Sequence, residues 1–278
     1  MNWHKWMAAP VLAVLVACSS TTNEGAIGIQ RKQFMLLPSN QVNAMALQSY
    51  RGELSTAKQK NALNTDKANL ERIRKIADRL IPQVAVFRPD ALSWAWEVNL
   101  ESRNELNAYC APGGKIMFFT GIINQLKLSD DEIAAIMGHE IAHALREHGR
   151  ERISQAYAKQ AGMSLLAIVT NMDARQAAVV QTVTQLALTL PHSRGQESEA
   201  DVMGLEVLAR AGYDPRASVS LWQKMGAANK GGTPAFLSTH PSSSQRINEL
   251  QSKMATVMPL YDAAKRNPPA SKTVVPRT

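Results

Sequence analysis

The chain has 278 residues, of which 45% are hydrophobic, 19% are charged and two are cysteines, and its formal net charge is +8. This length and apolar content are sufficient for one substantial core and one catalytic domain. The basic residues are scattered, so the charge does not favour a nucleic-acid-binding protein. If one cysteine is lipidated, as predicted below, no disulfide framework can hold the fold together.

The first residues have the features of an export signal. Lys5 precedes an apolar run over residues 7–16, which is too short to span a membrane but suits the core of a signal peptide. The run ends in Leu-Val-Ala-Cys, which resembles the bacterial lipobox, so we predict removal of residues 1–17 and lipidation of Cys18. Ser19 resembles the residue that directs such proteins to the outer membrane of Gram-negative bacteria. The alternative is an ordinary secretory signal with an incidental cysteine.

The next segments predict a tether and then a mixed domain. Residues 18–40 are polar and small at first, which is typical of a tether, and residues 41–258 form the predicted domain. Within it, residues 41–81 read as helices, and alternating side chains from Trp94 to Leu100 predict a half-buried strand. A further strand pair is predicted at Glu105 to Tyr109 and Lys115 to Phe119. An extended peptide could pair with the edge of this small sheet. Cys110 is interpreted as a small buried hydrophobic residue in preference to a redox-sensitive or metal-capping thiol.

The segment from Ser129 to His143 predicts a metal-binding helix. Ser129 and Glu132 have the spacing of a capping box, and apolar residues then recur at helical intervals. His139 and His143 are four residues apart, so their rings share one face and can bind one metal ion, with Glu140 beside them. A surface helix with incidental histidines is the alternative. Five residues beyond His143, His148 would lie on another side of a continued helix, where a structural role is expected.

A catalytic zinc site usually has three protein ligands, so one more is needed. Glu197 is the best candidate, because it opens an apolar, helix-like stretch that stops at Gly212. Asp201 lies one turn later and could accept the second N–H of a ligand histidine. Acidic residues are also common at helix starts because of the helix dipole, so this pattern alone leaves the role open.

Three further segments predict secondary structure or flexibility outside the motifs. The apolar region 161–190 predicts a helical hairpin, because polar residues interrupt it and neither half can span a membrane. Asp214-Pro215 predicts the start of another helix. Residues 259–278 are predicted to be a flexible tail.

Several separated motifs together resemble the zinc metallopeptidase family of the CAAX prenyl proteases and HtpX, and in particular its periplasmic lipoprotein branch, typified by LoiP and YcaL, and the BepA protease domain. The motifs are Asn107-Ala108-Tyr109, Pro112 to Ile116, Thr120-Gly121, His139 to His143, Ser193-Arg194 with Glu197 and Ala200-Asp201, and His240-Pro241 with Arg246-Ile247. The resemblance covers about residues 65–255. It implies a zincin-like gluzincin fold, α+β but mainly α, with a small sheet that edges the cleft.

The resemblance also implies the roles of the site residues. His139, His143 and Glu197 would bind one zinc ion per chain, and Glu140 would act as the catalytic acid and base on a peptide bond. His240 is a second candidate, which could stabilise the oxyanion or plug the open metal position, or could be an ordinary loop histidine. Arg246 is either an electrostatic clamp near substrate or oxyanion, or a solvent-facing helix residue.

The expected function is therefore a zinc-dependent endopeptidase that hydrolyses misfolded or misassembled envelope proteins. It would be lipid-anchored through Cys18 at the periplasmic face of the outer membrane, with outer-membrane assembly machinery as a possible partner. The first alternative is a chaperone-like assembly factor whose proteolysis is gated or minor. The second is a narrow-specificity enzyme that uses zinc chemistry on a non-peptide bond.

Overall fold

A computed structural model describes residues 18–164, 191–229, 234–241, 243–269 and 273. The predicted signal peptide 1–17 lies outside the described residues, as does the predicted hairpin from residue 165 onward. The longer helices are α1 (Ser39–Gln59), α2 (Lys67–Leu80), α4 (Asp130–Leu145), α5 (His148–Ser164), α6 (Arg194–Arg210), α7 (Ala217–Ala228) and α9 (Ser244–Arg266). The shorter helices are α3 (Thr120–Gln125) and α8 (Ala235–Thr239), and two 3₁₀ segments cover Ile81–Val86 and Pro89–Ser93. The strands are β1 (Cys18–Ser19), β2 (Gln33–Phe34), β3 (Glu97–Glu101), β4 (Ala108–Ala111) and β5 (Lys115–Phe119). The predicted class is confirmed: the fold is α+β and mainly helical.

Helices α4 and α6 pack against each other at the centre of the molecule, and two glycines set how closely they approach. A Cβ atom on Gly204 would lie 2.7 Å from the backbone nitrogen of His139, and one on Gly138 would lie 3.0 Å from the carbonyl oxygen of Gly204. A side chain at Gly204 would therefore force the helices apart, since real Cβ contacts are longer. The backbone of His139 is thus held directly against α6, which carries Glu197.

The small sheet has the order β3-β5-β4, with β3 parallel and β4 antiparallel to β5. The hairpin between β4 and β5 turns at Gly113 and Gly114, whose φ angles of 83° and 81° favour glycine. Strand β4 is at the edge of this sheet and packs on α4. The sequence-predicted small sheet beside the motif helix is therefore present.

The strand boundaries differ from the predicted ones. Trp94 and Trp96 precede β3, and their rings stack on each other while Trp96 Nε1 donates to the carbonyl of Ala91. Strand β3 is buried on both faces. Asn99, which lies between the buried Val98 and Leu100, is also buried and bonds to Tyr50 of α1 and to Asn64. Strand β4 begins three residues later than predicted, at Ala108.

Residues 18–40 do not form the predicted tether. Strands β1 and β2 pair antiparallel within this segment, and Ile27 and Ile29 belong to the main hydrophobic core. Gln33 is fully buried, where its Nε2 donates to the Arg146 carbonyl and to Glu151. The polar composition suggested a solvated linker, but these polar groups are satisfied by the body of the protein.

The C-terminal prediction is also wrong for residues 259–266. Helix α9 continues through Pro259 to Arg266 and packs along α6, with Val257 and Ala264 buried. Tertiary packing therefore outweighs the proline, which removes one helical hydrogen bond. Most residues after 269 lie outside the described part of the chain.

Of two predicted helix starts, one is confirmed and the other lies further along the chain. The predicted capping box at Ser129 and Glu132 is confirmed. Asp214 and Pro215 instead form a turn, in which Asp214 accepts from the backbone N–H of Arg216, and α7 begins at Ala217. Within the described part of the chain, none of the helices combines the length and apolar character needed to cross a membrane.

Candidate metal centre

Helix α4 presents the two motif histidines on one buried face. His139 Nε2 and His143 Nε2 are 3.0 Å apart. Glu197, in the first turn of α6, reaches the same point: its Oε2 lies 3.6 Å from His139 Nε2, and its Oε1 lies 3.4 Å from His143 Nε2. Ser193 and Gln196 form a capping box that fixes this turn. The structure thus brings together the three residues that sequence reasoning selected as ligands.

His240 completes a cluster of four potential ligands whose donor atoms all lie within 4.8 Å of one another. It follows α8, and its Nδ1 lies 3.0 Å from Glu197 Oε1 and 3.3 Å from His139 Nε2. Its Nε2 lies 3.4 Å from Glu140 Oε1, and Phe236 stacks on its ring. His240 is therefore not an ordinary loop histidine, because it contacts both the ligand cluster and Glu140.

One ring nitrogen of His139 is held by Asp201 on α6. Asp201 Oδ1 lies 3.1 Å from His139 Nδ1, and a carboxylate at this distance favours the tautomer of the imidazole that carries its proton on Nδ1. Asp201 is itself bound in bidentate fashion by Arg246, at 2.6 and 2.7 Å. The sequence anticipated this contact of Asp201 from its spacing.

Arg246 is not a solvent-facing helix residue. It is buried, and besides Asp201 its Nη1 lies 2.6 Å from Glu197 Oε2 and donates to the Pro241 carbonyl. Its guanidinium also lies 3.7 Å from the ring centre of Trp222. The predicted electrostatic clamp therefore acts on carboxylates of this chain, and every side-chain nitrogen of Arg246 already has a partner.

The second ring nitrogen of His143 is held through another histidine. His143 Nδ1 lies 2.8 Å from His148 Nδ1, and His148 Nε2 lies 2.9 Å from Glu199 Oε2. Burial lowers the pKa of His148 to about 4, so this imidazole is neutral near pH 7. It donates from Nε2 to Glu199 and accepts at Nδ1, which places the proton of His143 on Nδ1.

His148 has the structural role that was expected, but for a different reason. Helix α4 ends at Leu145, Glu147 has a positive φ of 49°, and His148 is the first residue of α5. This break in the helix allows the His148 ring to contact that of His143. Glu199, which the spacing directs away from the metal ligands, is held by Arg31 and Arg146.

The donor set fits a divalent metal ion. With both Nδ1 atoms protonated, the Nε2 atoms of His139 and His143 carry lone pairs that face each other at 3.0 Å. Lone pairs at this separation repel unless a cation lies between them. Imidazole nitrogens and a carboxylate are the ligand types of catalytic zinc sites. Burial alone would raise the pKa of Glu197, but the charge of His240 holds that pKa far below its ordinary value.

Glu140 is buried beside this cluster and faces a cavity of about 270 Å³. Burial raises the pKa of Glu140, while the backbone N–H of Cys110 in β4 donates to it and opposes that rise. Cys110 is buried, and burial raises the pKa of its thiol. The edge strand, the carboxylate and His240 therefore line one cleft.

Sequence reasoning missed two residues of this cleft. The ring centre of His192 lies 3.9 Å from that of His143 and 4.9 Å from that of His240. Arg152 on α5 lines the same cavity. Neither has a diagnostic spacing to the motif, so no signal in a single sequence identified them. For Cys18 the structure gives only the pairing of its backbone with Phe34, and its lipidation stays a prediction.

Comparisons with known proteins agree with this geometry. The model of peptidase family M48 matches residues 67–254. The mitochondrial metalloendopeptidase OMA1 of Arabidopsis thaliana is 40% identical over 152 residues, which are 55% of this chain and 30% of that protein. OMA1 of Saccharomyces cerevisiae is 32% identical over 62% of this chain and 50% of that protein. The metalloprotease YcaL of Escherichia coli is 21% identical over 55% of this chain and 60% of that protein. The chain thus spans a third to a half of the length of the OMA1 proteins.

Proposed function

Because this chain belongs to peptidase family M48, we propose that it is a zinc-dependent endopeptidase. The observation that carries the proposal is the convergence of His139, His143 and Glu197 with Glu140 beside them in one buried cleft. The family match confirms the metallopeptidase resemblance, and the names of the OMA1 and YcaL relatives support the same activity.

In this proposal His139, His143 and Glu197 hold the zinc ion, and Asp201 and His148 fix the two imidazoles with Nε2 toward it. The ion supplies Lewis-acid activation of water and of the scissile carbonyl. Glu140 would take the proton from the attacking water, since it is a buried carboxylate whose Oε1 has no hydrogen-bond partner among the described residues. It then passes the proton to the leaving amine.

The substrate in this proposal is an extended segment of an unfolded polypeptide. Strand β4 is an edge strand and lines the cleft together with Glu140. A peptide that paired with β4 would present its carbonyl groups along the cleft, with main-chain hydrogen bonds that do not depend on sequence. This favours clients that expose backbone, such as misfolded or misassembled proteins.

The bacterial envelope is the proposed location. The lipobox-like sequence before Cys18 supports it, as do two more distant relatives. These are YcaL of Escherichia coli and the β-barrel assembly-enhancing protease of Yersinia pestis, which is 25% identical over 60% of this chain. Lipidation of Cys18 would anchor the domain closely, because the segment that follows it packs on the body. If the wild type incorporates labelled fatty acid and Cys18→Ala does not, the anchor is supported. If the wild type also fails to incorporate the label, the anchor is contradicted.

The test of the activity is a comparison of the wild type with Glu140→Gln, both beginning at Ser19. We expect both forms to bind one equivalent of zinc and the variant to cleave unfolded casein at least about a hundredfold more slowly. A chelator should stop cleavage by the wild type, and added zinc should restore it. Comparable turnover by Glu140→Gln would remove Glu140 as the base.

The position of His240 favours a second candidate, a chaperone-like assembly factor with gated proteolysis. His240 Nδ1 is 3.0 Å from Glu197 Oε1 and its Nε2 is 3.4 Å from Glu140 Oε1, so the ring stands where substrate and water would have to enter. Client assembly that Glu140→Gln rescues as well as the wild type would favour this candidate. Loss of rescue in Glu140→Gln would favour hydrolysis.

A further inference from the structure

The catalytic cavity contains a positive charge that the proposed hydrolysis does not use. Among the described residues that line the cavity, Arg152 is the single lysine or arginine. It lies on α5 and lines the cavity together with Tyr109, Cys110, Glu140 and His240. Burial lowers the pKa of Arg152 to about 10, so the side chain stays protonated at neutral pH.

Within the described part of the chain, two of the three guanidinium nitrogens of Arg152 have no hydrogen-bond partner. These are Nε and Nη1, which are shielded from solvent. Two other charged residues of the cavity are paired in contrast: Glu53 accepts from the Tyr109 hydroxyl, and Glu147 is held by Arg88 and Arg150. N–H groups of a cation that are shielded from solvent without a partner are destabilising, so these two nitrogens of the half-buried Arg152 call for an acceptor.

The nearby carboxylates of this chain are already bound to other groups. Glu151 accepts from Arg31, Gln33 and Gln196. Glu197 contacts Arg246 and faces the proposed metal. Glu140 is required as a base and therefore cannot remain tied to a cation during turnover. Among the described residues, these carboxylates therefore have other partners or another task, and none of them is bonded to Nε or Nη1 of Arg152.

We propose that Arg152 forms an anion subsite that binds a carboxylate of the substrate next to the scissile bond. The inference rests on the proposed peptidase function and names the substrate chemistry at that site. A guanidinium presents parallel N–H donors that match the two oxygens of a carboxylate. The carboxylate can come from an aspartate or glutamate side chain, or from the C-terminus of the client.

The test compares matched peptides that differ only in that carboxylate. A peptide that the wild type cleaves is prepared with glutamate or glutamine at each position around the cleavage site, and with a free or an amidated C-terminus. We expect kcat/KM of the wild type to be at least about tenfold higher for the glutamate peptide than for the glutamine peptide at one position, or for the free than for the amidated C-terminus. The neutral peptide leaves the charge of Arg152 unpaired, which weakens its complex with the enzyme. Which of the two series responds identifies the source.

Three variants connect this preference to Arg152. Arg152→Gln should abolish the preference, Arg152→Lys should retain part of it, and Arg152→Glu should favour a lysine-containing peptide at the same position. Arg194→Gln is the matched control, because Arg194 is exposed, carries the same charge and does not line the cavity. Zinc content and thermal unfolding identify variants that fail to fold. An unchanged preference in folded Arg152→Gln, or equal cleavage of all matched peptides by the wild type, overturns the proposal.

A binding measurement separates this inference from the proposed function. In the Glu140→Gln background, fluorescence anisotropy should show tighter binding of the acidic peptide than of its neutral partner, and Arg152→Gln should remove the difference. If the zinc-loaded wild type cleaves no peptide but this difference is present, the peptidase proposal fails and the anion subsite stands. If cleavage occurs without any charge preference, the subsite fails alone.

Discussion

The two histidines of the HExxH helix are supported on their outer sides in different ways. His139 contacts the Asp201 carboxylate directly, and a single deeply buried arginine, Arg246, holds Asp201. His143 reaches its carboxylate, Glu199, only through the imidazole of His148. The first arrangement lies between α4, α6 and α9 in the core, whereas the second joins α4 to α5 and the N-terminal segment.

The two arrangements orient an imidazole in the same way but should differ in how much stability is lost when a charge is removed. Both carboxylates keep a proton on Nδ1 and leave Nε2 free to face the metal. On the His139 side the charges are shielded from solvent, since the side chain of Arg246 is 7% exposed and its carboxylate partners Asp201 and Glu197 are each 2% exposed. On the His143 side the charge is shared, because Glu199 is held by Arg146 and by Arg31, whose side chain is 37% exposed. We therefore expect the His139 side to be more sensitive to the loss of one charge.

The largest effect is expected for Asp201→Asn. This substitution leaves Arg246 buried with less negative charge, so we expect the free energy of unfolding to fall by about 3–5 kcal/mol and zinc affinity to fall about 10- to 100-fold. Urea denaturation and competition with a chelator measure the two quantities. Asp214→Asn is the control, because its partner Arg216 is exposed, and it should change stability by less than about 1 kcal/mol. Wild-type stability in Asp201→Asn would contradict the comparison.

A smaller effect is expected for His148→Leu. The variant leaves Nδ1 of His143 without an acceptor, but Glu199 keeps both arginines, so no buried charge loses all its partners. We expect zinc affinity to fall about tenfold and the free energy of unfolding to fall by about 1–3 kcal/mol. His148→Gln keeps an acceptor and a donor and should recover much of the zinc affinity. If His148→Leu binds zinc as tightly as the wild type, the imidazole link has no positioning role.

The smallest effect is a pH dependence that arises from His148 on the His143 side. Burial lowers the pKa of His148 from its ordinary 6.5 to about 4. The unfolded chain therefore takes up this proton first as the pH falls, and stability that is present above pH 6.5 is lost progressively toward pH 4.

For the metal-free protein, this proton alone should lower the free energy of unfolding by about 1 kcal/mol between pH 6.5 and pH 5.5. Denaturant unfolding of the wild type and of His148→Gln at both pH values measures the difference between them. Equal losses in the two proteins would show that His148 does not titrate as its burial implies.

The predictions from sequence succeeded where the determining interactions are local. The capping box of Ser129 and Glu132 begins α4, and four-residue spacing places His139 with His143, because helical geometry repeats within a few residues. The same spacing relates Glu197 to Asp201 on α6. The mainly helical α+β class and the family resemblance followed from these motifs and from their order along the chain.

They failed where packing overrides composition. The polar segment after Cys18 looked like a tether, but Ile27 and Gln33 are buried in the body. Pro259 looked like the start of a flexible tail, but burial of Val257 and Ala264 keeps α9 helical beyond it. The prediction for His148 assumed a continued helix, although the helix is interrupted at Glu147, which has a positive φ angle.

The sequence by itself determined which helix faces carry the ligands and which carboxylate could support His139. Only the tertiary structure decided that His240 contacts Glu140, that His192 lies on His143 and that Arg152 enters the same cavity. The physical reason is distance along the chain: these contacts join segments separated by many residues. They depend on how closely α4 and α6 approach at Gly138 and Gly204, which no local pattern encodes.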